Sequence, residues 1–130
     1  MALQHFDPQT FLDQVWQRNA LLIKNAIPNY DCPLDGNDLA GLACEDDVDS
    51  RIIIEKDGGW ELRNGPFKED DFGTLPESKW TLLVQSVDHY LPELAELLAH
   101  FRFIPRWRTE DVMVSYACDG GNVGPHYDQY

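Results

Sequence analysis

His126 and Asp128 stand one residue apart in the stretch Gly120-Gly121-Asn122-Val123-Gly124-Pro125-His126-Tyr127-Asp128-Gln129-Tyr130. In a β-strand, side chains at i and i+2 point to the same face. An imidazole and a carboxylate at that spacing can therefore reach one metal ion together. Two histidines and one carboxylate, with open positions for substrate and oxygen, form the facial triad that holds non-haem Fe(II). His126 and Asp128 supply two of those three groups, and the third is expected beyond Tyr130. Spacing alone leaves a plainer alternative open, in which a surface histidine happens to lie beside a carboxylate at a strand edge.

The other reactive side chains show less pattern. His5, His89 and His100 stand alone, without ligand spacing, and read as structural. Cys32, Cys44 and Cys118 are odd in number and lack a CxxC pair, so reduced thiols are expected rather than a zinc site or a disulfide framework. Nothing near Cys118 marks it as reactive. Arg102, Arg106 and Arg108 form either an anion site or, as the favoured reading, a connector that pairs with acidic surface.

These residues need elements to position them. Asp7-Pro8 opens a helix, with Asp as cap and Pro at the first helical position, and Phe11, Leu12, Val15 and Trp16 follow at helical spacing. Ala20 to Lys24 reads as a short buried strand, and residues 25–35 as a loop. Asn37 or Asp38 can cap a second helix through Leu39, Leu42 and Ala43. Arg51 to Glu55 is β-branched, Asp57-Gly58-Gly59 turns, and Trp60 to Leu62 returns, which predicts a hairpin. Asn64 to Phe67 is a second turn, and residues 68–76 are acidic and irregular. Lys79 to Gln85 has a continuous apolar centre and reads as a strand buried on both faces. Asp88 and Pro92 bracket the start of a helix that carries Leu91, Leu94, Leu97 and Leu98 on one side. Glu110 to Ala117 reads as a strand with Val112, Val114 and Tyr116 alternating, followed by a glycine turn and a last strand at His126. Those last two strands are expected to lack partners within the chain, and a lone two-stranded ribbon is marginal. Trp16, Trp60, Trp80 and Trp107 read as core or hairpin packing.

The sequence has 130 residues, which bounds it at one domain. Its 23 acidic and 10 basic residues give a formal net charge of −13. That disfavours nucleic acid and anionic membranes as partners, both of which need a basic footprint. Met1 to Phe11 carries Asp7 and no long apolar run, so it reads as neither signal nor transit peptide. No apolar run approaches the roughly 20 residues of a membrane helix. The expected location is the cytoplasm.

Taken together, these segments resemble the N-terminal part of a bacterial JmjC-type ribosomal oxygenase. The likeness is carried by Asp38 to Ala43, Asp49-Ser50-Arg51, Asn64 to Phe67 and Trp80 to Gln85. It is strongest at Trp107-Arg108, Asp111 to Tyr116 and Gly120 to Tyr130. The resemblance implies an α+β fold, in which an N-terminal α/β region over 1–108 leads into an incomplete cupin-like double-stranded β-helix (jelly roll) over 109–130. It implies an oxidoreductase, a dioxygenase dependent on Fe(II) and 2-oxoglutarate that hydroxylates an arginine of a large-subunit ribosomal protein. His126 and Asp128 match its first two iron ligands. Met113 and Ser115 match a strand walling the 2-oxoglutarate pocket. The second histidine ligand and the cation for the keto-acid carboxylate would lie past Tyr130, so the chain alone is expected to be inactive. The alternative is a non-catalytic cupin-like fragment that acts as a binding or assembly module, including a homo-oligomer joined through open strand edges. The acidic run at 45–49 is read as a solvated loop, with docking of an arginine-rich ribosomal protein as the other option.

Overall fold

Asp57 and Gly58 both hold positive φ, 52° and 79°, as a two-residue primed hairpin turn requires. Around that turn, β1 (Ser50–Lys56) and β2 (Gly59–Asn64) pair antiparallel, with Ile53 opposite Leu62 and Glu55 opposite Trp60. In this computed structural model, which describes residues 3–128, β3 (Trp80–Val84) pairs antiparallel with the other side of β1. The strand β4 (Val114–Ala117) then pairs antiparallel with β3, giving the order β2-β1-β3-β4. Met1, Ala2, Gln129 and Tyr130 fall outside the described residues, so expectations that rest on them do too.

The register divides the sheet into two unlike faces. Ile52 and Ile54 of β1, Leu82 and Val84 of β3 and Val114 of β4 share one face. With Leu39, Ala43, Phe67, Val87 and Leu94 they make the core, in which Leu82 is 1% exposed. The helix α2 (Gly36–Leu42) packs there against β3 and β4. Arg51, Ile53, Leu62, Leu83 and Ser115 share the opposite face. No described helix of this chain covers it, and Leu62 is 57% exposed. β3 is buried along nearly its whole length, as its continuous apolar centre predicts.

Local chemistry explains the helices. Asp7 caps α1 (Pro8–Gln14) by accepting from the Thr10 N–H at 2.7 Å, as expected. The apolar side of α1 meets the connector rather than the sheet, since Phe6, Phe11 and Phe103 cluster with centroids 5.2 to 5.9 Å apart. The cap of α2 is Asp35, not Asn37 or Asp38. Asp35 accepts from both of their N–H groups, and Asp38 returns a bond to the Asp35 N–H, closing a capping box. A short α3 (Glu69–Phe72) breaks the acidic segment expected to be irregular, nucleated by Asp71 accepting from the Lys68 N–H. The helix α4 (Pro92–Ala99) begins at its proline and buries Leu94.

Several expectations fail. Ala20 to Lys24 forms no strand, and Leu21 and Leu22 are 52% and 80% exposed. An apolar run becomes a strand only against a partner, and neither edge strand pairs with it. The ladder of β4 begins at Val114, because Val112 is held elsewhere: the Asp88 carboxylate accepts from its N–H at 2.8 Å, and its carbonyl accepts from the Val87 N–H. β4 is not partnerless, since β3 pairs with it. No strand forms over His126 to Asp128 among the described residues. Trp107 is 81% exposed rather than packed in a core.

Candidate metal centre

A cavity of about 950 Å³ lies on the open sheet face, lined by Arg51, Met113, Ser115, Val123, His126 and Asp128 among others. Parity explains the company. Ser115 is opposite Leu83 on that face, and Met113, two residues earlier, has the same parity. The glycine turn then folds the chain back over the face. The Lys79 N–H donates to the Asp119 carbonyl at 2.8 Å, and the Gly121 N–H to the Cys118 carbonyl at 2.8 Å. The four residues singled out from sequence therefore meet in one cavity.

His126 Nε2 stands 3.4 Å from Asp128 Oδ1, and His126 Nδ1 lies 2.9 Å from the Gly124 carbonyl. A carbonyl only accepts, so that bond places a proton on Nδ1 and leaves Nε2 as the ring nitrogen that faces Asp128. Metal-bound histidines are oriented in this way by a partner on the other ring nitrogen. Two donors each roughly 2.1 Å from one ion at a right angle stand about 3.0 Å apart. The observed separation needs only a few tenths of an ångström of closure, so a neutral imidazole and a carboxylate fit a divalent cation here. Both side chains are more than half exposed, at 53% and 73%, and so are open to an incoming ion. Among the described residues, no third His, Cys, Asp or Glu completes a metal-holding group.

The far wall is a polar relay that sequence reasoning missed. Arg51 donates to Gln85 Oε1, and its guanidinium is also 3.8 Å from Asp49. Gln85 Nε2 donates to Asp111 Oδ2 at 3.4 Å. The same Asp111 oxygen accepts from the Ser86 N–H at 2.6 Å and the Ser86 hydroxyl at 3.0 Å. The only signal in the sequence is that Arg51 falls on the sheet face opposite the one that Ile52 and Ile54 present to the core. Trp60 and Asn122 were missed as well: the indole Nε1–H donates to Asn122 Oδ1 at 2.9 Å.

Other candidates resolve as structural. Arg108 lies over the Trp16 and Trp107 rings at 5.3 and 5.1 Å, so it stacks on aromatic faces rather than pairing with acid. Cys118 is tied into the β3 exchange, its sulfur accepting from the Trp80 N–H at 3.3 Å. Burial, reinforced by the carboxylates of Glu69, Asp71 and Glu45, pushes the Cys44 thiol up. No helix among the described residues is long and apolar enough to cross a membrane.

No protein-family model matches the chain. It is 43% identical over 120 residues to the ribosomal protein uL16 3-hydroxylase of Escherichia coli, covering 92% of this chain and 32% of that protein. It is 41% identical over 128 residues to a probable ribosomal oxygenase of Haemophilus influenzae, covering 98% of this chain and 31% of the relative. The chain thus spans about a third of the length of the relatives it matches. Among solved structures it superimposes on YcfD, a ribosomal oxygenase from Escherichia coli, in complex with cobalt and 2-oxoglutarate. That match has a TM-score of 0.90 and 41% identity, over 99% of this chain and 35% of YcfD. A complex of YcfD with cobalt and succinic acid matches equally well, at a TM-score of 0.90.

Proposed function

We infer that this chain, a homologue of the bacterial ribosomal oxygenases over nearly its whole length, is the N-terminal part of an Fe(II)- and 2-oxoglutarate-dependent dioxygenase. Its substrate is an arginine of a large-subunit ribosomal protein, met in the cytoplasm. The observation that carries this reading is the His126–Asp128 pair, preset by the Gly124 carbonyl and facing a cavity of about 950 Å³.

In this account residues 1–108 supply the N-terminal helices and strands β1 to β3, and residues 109–130, which add β4 to the same sheet, begin a JmjC-type, cupin-like jelly roll. Support for the jelly roll comes from the open sheet face, where Leu62 and Met113 remain 57% and 48% exposed. A sheet with one apolar face open is completed by a second layer. His126 and Asp128 would hold the metal, and Met113 and Ser115 wall the space for 2-oxoglutarate. When bound, the metal would supply the oxidising chemistry for hydroxylation, with dioxygen as the oxidant and the keto acid as the co-reductant. This chain's share is to fix the imidazole tautomer, present the carboxylate and shape one side of the pocket. Among the described residues no third ligand completes the site, so in this account the segment by itself does not turn over.

A second reading has the segment act as a non-catalytic binding or assembly module, and the same exposed Leu62 and Met113 favour it. One experiment separates the two. A peptide from a large-subunit ribosomal protein is incubated with Fe(II) and 2-oxoglutarate. The enzyme is either the 130-residue chain or a polypeptide continued to the relatives' length. A mass gain of one oxygen on arginine with the longer polypeptide alone supports the oxygenase reading. No gain with either removes it in favour of the module.

A further inference from the structure

The side chain of Asn122 is saturated with hydrogen bonds although it lies in an exposed loop. Its Oδ1 accepts from the Trp60 indole at 2.9 Å and from the Gly124 N–H at 2.9 Å. Its Nδ2 donates to Glu55 Oε2 at 2.8 Å and to the Gly120 carbonyl at 3.4 Å. Two donors reach the oxygen and two acceptors reach the nitrogen, so only one orientation of the amide satisfies the site. Glu55 and Trp60 are themselves a cross-strand pair of β1 and β2. The amide is therefore wedged between the two strands of the hairpin, 62 residues from Trp60 and 67 from Glu55 in sequence.

Gly124 completes the contact. Its φ is +67°, and a Cβ there would lie 2.8 Å from the Trp60 ring. The backbone must pass directly against the indole, and only glycine allows it. The carbonyl of this same Gly124 orients His126. The chain of contacts therefore runs from Trp60 and Glu55, through Asn122 and Gly124, to the imidazole.

We propose that Asn122 is a positioning residue: it latches the segment carrying His126 and Asp128 to the β1–β2 hairpin and so presets the ligand pair. No strand pairing does this job within the described residues, since none forms over His126 to Asp128. The inference rests on the proposed metal-binding role of that pair, but the latch itself is a statement about order in the loop.

The test uses the full 130-residue chain labelled with nitrogen-15. Backbone order parameters are measured for Gly124, His126, Tyr127 and Asp128 in the wild type, Asn122→Ala and Glu55→Gln. The latch predicts that Asn122→Ala lowers them from near 0.85 toward 0.6 or below, roughly the rigid and flexible ranges, while β1 to β4 stay rigid. Glu55→Gln keeps an acceptor for Nδ2 and is predicted to retain the wild-type order. Unchanged order parameters in Asn122→Ala overturn the proposal. Mn(II) titration of the same samples adds a second readout, with weakening on the order of tenfold predicted for Asn122→Ala. His126→Ala separates the two ideas. If it leaves Mn(II) binding unchanged, the ligand assignment is wrong, and the order parameters still decide the latch.

Discussion

The Asp111 carboxylate accepts a 2.6 Å hydrogen bond from the backbone N–H of Ser86, a residue held at φ 53°. This one contact ties the exit of β3 to the approach to β4, 25 residues apart. The same oxygen also takes the Ser86 hydroxyl and the Gln85 amide. Removing the carboxylate leaves a left-handed, half-buried serine without its acceptor. Asp111→Ala is therefore predicted to destabilise the fold by about 1–3 kcal/mol. Urea unfolding checks this, and the slope should stay unchanged while the midpoint falls.

The core and the exposed N-terminal run should respond differently to the same truncation. Leu82 is 1% exposed at the centre of β3, and Leu22 is 80% exposed. Leu82→Ala is predicted to cost about 2–5 kcal/mol through lost burial and a residual cavity. Leu22→Ala should change stability by no more than about 0.5 kcal/mol. Equal losses from the two would mean that Leu22 is covered in solution.

Acid sensitivity follows from two carboxylates. Hydrogen bonding to Thr10 holds Asp7 below its ordinary 3.8, and hydrogen bonding to Arg63, with the guanidinium charge, holds Glu61 below its ordinary 4.5. A group depressed in the folded state stabilises the fold above its unfolded value and loses that contribution as pH falls through the folded one. Stability should thus hold above the ordinary carboxylate values and decline on acidification below them. Asparagine also caps helices but does not titrate. Asp7→Asn is predicted to gain on the wild type as pH falls, which urea midpoints measured across acid pH will show.

Thiol chemistry should distinguish the cysteines. Cys32 is exposed, while Cys44 is partly buried and its thiol is pushed up. Alkylation by iodoacetamide at neutral pH is predicted to label Cys32 well before Cys44, read by peptide mass spectrometry. Preferential labelling of Cys44 would contradict the packing of α2 described here.

Much of the sheet was legible in the sequence because its signals are local. The β-branched Arg51 to Glu55 run, the Asp57-Gly58 turn and the returning Trp60 to Leu62 fix a hairpin within a dozen residues. The apolar centre of β3 likewise announced its burial. Ala20 to Lys24 looked like a strand by the same criteria and was not one, because strand status depends on an available edge. The Asp35 cap was missed by two or three residues, since a capping box reads alike when shifted. At the candidate site, His126, Asp128, Met113 and Ser115 were nameable from spacing and resemblance. The Arg51–Gln85–Asp111 relay and the Asn122 wedge were not, because each joins groups distant in sequence, with no periodicity to betray them.

The central claim is that His126 and Asp128 together hold a divalent metal. The most direct test is nuclear magnetic resonance of the 130-residue chain titrated with Mn(II), whose unpaired electrons broaden nearby signals. The account predicts broadening centred on His126 and Asp128, extending to Met113 and Ser115, and abolished by His126→Ala. Broadening centred instead on the acidic loop at 45–49, and unaltered by His126→Ala, would contradict it.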